Sequence, residues 1–128
     1  MVVRVVRLGS PREADEGIRI GTVRRPPRGV PKSEFASRNW YDVWFPNLAP
    51  AVETMKLAQA ATTPRAWTVF KKKYRAEMAT PDNAHALALL AELSKESNFS
   101  VGCYCEAEEH CHRSVLRALL AEHGAKVK

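Results

Sequence analysis

Two threonine–proline pairs near the middle of the chain, Thr63-Pro64 and Thr80-Pro81, constrain the fold more than any other feature. A threonine hydroxyl accepts from the free N–H groups of a helix start, and proline suits the first helical position, where its missing N–H is not needed. Behind the first pair, Trp67, Phe70, Tyr74 and Met78 recur at spacings of three and four and define one apolar face. Behind the second, Leu87, Leu90 and Leu93 are expected to point inward. A further helix is expected over about 51–61, beyond Pro46 and Pro50. The stretch "HCHRSVLRALLAEHG" reads as a closing helix ending near Gly124, with Val115, Leu116, Leu119 and Leu120 as its apolar stripe.

Strand signals lie on either side of these helices. "VVRVVRLG" is rich in β-branched residues and stops at Gly9-Ser10-Pro11, "GIRIGTV" runs into the proline-rich loop "RRPPRGVPK", and "NFSVGCYC" reads as a buried strand. Strands separated by long helical crossovers pair in parallel. The expectation is therefore an α/β fold: a single three-layer domain over residues 1–128, with a small, mainly parallel sheet flanked by helices. In such sheets ligands bind beyond the carboxyl ends of the strands.

Hydrophobic content of 45% and charged content of 27% are ordinary for a globular chain. The first residues lack the apolar run of a signal peptide, and no stretch approaches the roughly 20 apolar residues that span a bilayer, so a cytoplasmic protein with no membrane partner is expected. Three cysteines, an odd number, argue against a closed disulfide framework. The net charge of +6 favours anionic partners: a phosphate-bearing small molecule, or nucleic acid held through general positive charge. The run Lys71, Lys72 and Lys73 reads as a solvated helix face.

The chemistry concentrates in "VGCYCEAEEHCHRSVL", which carries all three cysteines. On a strand, Cys103 and Cys105 would sit about 6.5–7 Å apart on one face. Sulfurs sharing a tetrahedral zinc must come within roughly 4 Å, so spacing argues against a shared metal, and no metal ligands are assigned. On a helix, His110 and His112 would diverge by about 200°. Cys103 reads as core. Cys105 and Cys111 stand between core packing and reactivity, Cys111 because it opens a helix whose N–H groups favour a thiolate. Glu108 and His112, four apart, are expected either to pair as an acid/base element or to serve as a helix cap.

The elements "PPRGVPKSE" and "LAP", the pattern Trp67, Phe70, Tyr74, Arg75, Glu77, and "EEHCHRSVLRALL" resemble the YeaO-like branch of a bacterial family, domain-of-unknown-function family 488, from about Ile18 to Ala121. The resemblance implies a small cytosolic α/β domain and marks Arg28, Gly29 and His110–Arg113 as shared features. It brings no reaction and no cofactor. Two positions depart from the family pattern: Val23 stands where many relatives have aspartate, and Pro26 where they have tryptophan.

The leading functional reading is an enzyme or ligand-binding domain for a phosphate-bearing or nucleotide-like molecule. Arg24, Arg25, Arg28 and Arg113 would bind the substrate, His112 backed by Glu108 would act as acid/base, and Cys111 or Cys105 would be the nucleophile. The alternatives are a non-enzymatic nucleic-acid-binding or regulatory module, and a thiol redox or metal-binding sensor.

Overall fold

The computed structural model describes residues 1–128. Four parallel strands, β1 (Val3–Arg7), β2 (Ile18–Gly21), β3 (Val43–Trp44) and β4 (Phe99–Cys103), form one sheet in the order β1-β4-β2-β3. β4 lies between β1 and β2, with Val101 opposite both Val5 and Ile20. Helices α1 (Val52–Ala60), α2 (Pro64–Met78) and α3 (Pro81–Glu96) form the crossover from β3 to β4, and α4 (His112–Glu122) closes the fold. The α/β architecture and the parallel sheet thus follow the sequence pattern. No helix is long and apolar enough to cross a membrane.

The helical face of the sheet holds the main core. Val3, Phe99 and Val101 from the strands meet Phe70, Tyr74 and Met78 of α2, Leu87 and Leu90 of α3, and the α4 stripe. The Thr63 hydroxyl accepts from the Ala66 N–H and caps α2 as its sequence suggests. Leu93 departs from expectation: it is exposed, and Ala91 and Ser94 take the inward positions after Leu87 and Leu90. The helical period carries the buried stripe to residue 94, and residue 93 rotates off it.

The opposite face is polar at its centre and covered by loops, which make the third layer. Arg19, fully buried, donates to both carboxylate oxygens of buried Glu16 at 2.7 and 3.0 Å. Its remaining N–H groups reach the carbonyls of Ser10 at 2.9 Å and Asn39 at 2.8 Å, and Ser100 donates to Glu16 at 2.7 Å. One guanidinium therefore ties the loop after β1 to the loop before β3. Asp42 adds to this by accepting from the Arg19 backbone and from Arg12.

This network makes stability acid-sensitive. Burial pulls the Glu16 carboxyl upward, but the bonds from Arg19 and Ser100 outweigh it and hold the group below its ordinary 4.5. Asp42 is likewise lowered from 3.8, with burial opposed by Arg12 and the Arg19 N–H. Because both folded-state values are depressed, their contribution is complete above the unfolded-state values and is lost as pH falls through the folded-state ones. The urea midpoint should therefore be flat from pH 7 to about 5 and drop below pH 4.5; an unchanged midpoint at pH 3.5 would exclude the network as a source of stability.

Candidate functional site

The chain segments leaving β1, β2 and β4 meet at the carboxyl edge of the sheet. They enclose a cleft of about 1030 Å³, lined among others by Arg7 and Gly9 after β1, Arg25 and Arg28 after β2, Trp40, and Tyr104 after β4. Pro26 and Pro27 stiffen the basic loop, and Gly29 turns it at a φ of +70°. Gly9, at φ +91°, lets the Trp40 ring approach its backbone: a Cβ there would lie 2.8 Å from the indole. Trp40 meets Tyr104 edge to face at 5.8 Å, and Tyr104 donates to the Arg25 carbonyl at 2.8 Å. The Trp40 Nε1–H has no partner. Arg7 faces Glu106 at 3.6 Å in an exposed pair, worth little in water. Arg25 and Arg28 take part in none of the ion pairs.

Beneath this edge the three cysteines converge. β4 ends at Cys103, so the chain bends through Tyr104 and brings the Cys103 and Cys105 sulfurs to 3.7 Å. The separation expected on a straight strand, and with it the argument against a shared ligand, does not hold. Cys111 occupies the position before α4 without a side-chain capping bond, its sulfur 3.9 Å from His112 Nδ1. The sulfurs of Cys103 and Cys111 and a ring nitrogen of His112 all lie within 4.8 Å of one another. All three residues are buried, and Cys105 is half-buried. No disulfide is formed.

His112 is oriented by the fold. Its second nitrogen, Nε2, lies 2.8 Å from the Thr22 carbonyl, which can only accept, so Nε2 carries the hydrogen. The Nδ1 side is thereby left to face Cys111. Among the thiols, Cys111 is held far below its ordinary value by the neighbouring Cys103 and then Cys105 thiols, against burial, with His112 adding to the effect. Cys103 is pushed up through its contacts with Cys105 and Cys111 and by burial. At Cys105 the contact with Cys103 lowers the thiol, but the contact with Cys111 and burial raise it further.

The structure separates the remaining candidates. Glu108 and His112 do not pair: residues Glu108–His110 form a separate 3-10 turn, and Glu108 receives two bonds from Arg117 at 2.7 and 3.0 Å. The chain breaks at Cys111 between that turn and α4, so the four-residue spacing spans no continuous helix. Arg24 donates to the carbonyls of Ala49 and Pro50 and does not line the cleft. Arg113 is buried, donates to the Cys105 carbonyl at 2.6 Å, and leaves its Nε unpartnered. Arg25 and Arg28 lie in the cleft; Cys105 does not line it but packs, like Tyr104, on the apolar cluster that contains Leu8. Arg7, Trp40, Tyr104 and Thr22 have no sequence signal of their own, because their roles come from loops brought together across the sheet.

The family model described as the active DUF488-N3 subclade, DUF488-N3a, matches residues 3–124. The chain belongs to this family. The match takes in β1, which the local motifs leave outside, and runs to the end of α4. No curated protein and no solved structure matches the chain. Within this DUF488-N3a chain, the Cys/His cluster and the arginine cleft lie at one edge of the sheet.

Proposed function

We propose that this DUF488-N3a protein is an enzyme that binds a phosphate-bearing, nucleotide-like molecule in the cleft, with the adjoining Cys/His cluster as its reactive centre. The cleft carries the reading. It lies where parallel α/β sheets bind ligands, offers Arg25 and Arg28 without ion-pair partners, and is walled by Trp40 and Tyr104. Guanidinium groups suit phosphate oxygens, and paired aromatic rings suit a planar base. No cysteine lines the cleft; Cys105, the least buried thiol, packs on the same apolar cluster as Tyr104 and is the sulfur most open to a bound molecule. The description of the family model as active favours an enzyme over a purely binding module.

A thermal-shift series with nucleoside monophosphates, nucleoside diphosphates and sugar phosphates tests the reading. At least one nucleotide should raise Tm, and Arg28→Ala should remove most of that rise while leaving the Tm of the free protein within a degree or two, since Arg28 is exposed and unpaired. No shift with any of these ligands, together with an indifferent Arg28→Ala variant, would contradict it.

A further inference from the structure

We infer that the thiol cluster is a metal site in which Cys103, Cys105, Cys111 and His112 hold one soft divalent cation of the zinc type. The inference concerns the cluster alone and goes beyond the cleft reading, which stands or falls separately.

The geometry fits such an ion. Zinc–sulfur bonds of about 2.3 Å and zinc–nitrogen bonds of about 2.0 Å place tetrahedral ligand atoms roughly 3.5–3.8 Å apart. The Cys103 and Cys105 sulfurs are 3.7 Å apart, and the Cys111 sulfur lies 3.9 Å from His112 Nδ1. Cys103, Cys111 and His112 already share one small volume, and Cys105, which stands outside that trio but beside Cys103, would complete a Cys3His set by turning inward; Cys3His is one of the regular structural zinc environments. The surroundings of His112 point the same way. Metal-bound histidines characteristically donate the far ring N–H to a carbonyl or carboxylate, which fixes the ring. His112 does this to Thr22.

Arg113 bears on the charge of the cluster. Arg113 is only 4% exposed, yet no carboxylate pairs with it, and it touches the cluster through the Cys105 carbonyl. A buried cation without a counter-charge is strongly disfavoured. Three thiolates around a divalent cation carry a net charge of minus one, which Arg113 and the start of α4 would balance. Arg113 thus marks the cluster as anionic with or without the ion, and geometry carries the assignment of the metal. Binding involves no redox change: three cysteine S–H bonds break, three metal–sulfur bonds and one metal–nitrogen bond form, and up to three protons pass to solvent. With the ion present, Cys105 and Cys111 serve as ligands and not as nucleophiles, and ligand binding by the arginine cleft stands without them.

The test is elemental analysis of full-length protein purified without chelator, followed by replacement with Co²⁺. The expected results are about one zinc per chain and, after replacement, the visible bands and thiolate charge-transfer absorption of tetrahedral cobalt. Cys105→Ser, at the half-exposed ligand, should still fold and should weaken zinc retention against a competing chelator by on the order of 10-fold or more. Arg28→Ala should leave zinc content unchanged, so loss of nucleotide binding and loss of metal are read independently. Folded, reduced protein with no stoichiometric metal and no cobalt spectrum would overturn the inference, as would a Cys105→Ser variant that retains the ion as tightly as the parent.

Discussion

Replacing Arg19 by methionine is expected to lower folding stability by about 3–5 kcal/mol, the usual cost of breaking a buried pair from one side. The change leaves the Glu16 carboxylate buried with only Ser100 and a backbone N–H as donors; it also removes the guanidinium from the Ser10 carbonyl and from the Asn39 carbonyl, which keeps only the Gly9 N–H. Those carbonyls belong to the two loops that carry Gly9, Ser10 and Trp40 into the cleft, so ligand binding should fall together with stability. The double variant Arg19→Met with Glu16→Leu removes both charges and should regain part of the loss. Urea unfolding of the three proteins checks this; a single variant within about 0.5 kcal/mol of the parent would mean that the pair is not a structural tie.

The second large effect is expected at His112. Alanine there empties a buried site against Tyr74, whose ring lies 5.6 Å away, and orphans the Thr22 carbonyl. Together these should cost about 2–4 kcal/mol. Glutamine can place an N–H near the Nε2 position and should recover much of the stability, but it offers no equivalent of Nδ1 toward Cys111. The two variants thus divide the structural tie between β2 and α4 from the chemistry of the cluster. Urea unfolding reads the first, and the rate at which the cysteines react with iodoacetamide reads the second. A glutamine variant as unstable as alanine would contradict the assignment of Nε2 to Thr22.

Much of the fold can be read from local pattern because it rests on local chemistry. Thr63-Pro64 marks a helix start whether or not anything packs on it, and the spacing of Phe70, Tyr74 and Met78 names the buried face directly. β3 escapes such reading because it is only Val43–Trp44, exposed at the sheet edge between loops. Arg19 also misleads. Alternation with Ile18 and Ile20 suggests a solvent face, yet Ile18 is 55% exposed and Arg19 is fully buried. What reverses the pattern is the loop bearing Glu16, which covers that face and supplies the counter-charge.

The site was legible in place more than in detail. The clustering of Cys105, Cys111, His112 and Arg113 points to the end of β4, and the proline-stiffened basic loop points to the end of β2. Their geometry depends on a bend after Cys103 and a break at Cys111, neither of which spacing alone specifies. The same break hands Glu108 to Arg117, nine residues away in sequence. Arg7, Trp40 and Tyr104 become cleft residues only because β1, β4 and β2 lie side by side, an order that no local motif encodes.

The cleft itself is most directly tested by titrating ¹⁵N-labelled protein with a nucleoside monophosphate and following its amide and indole resonances. The predicted result is saturable shifts confined to residues 7–10, to Arg25 and Arg28, to Tyr104, and to the Trp40 indole N–H. Shifts centred on the Lys71–Lys73 face of α2, or none at millimolar ligand, would contradict the account.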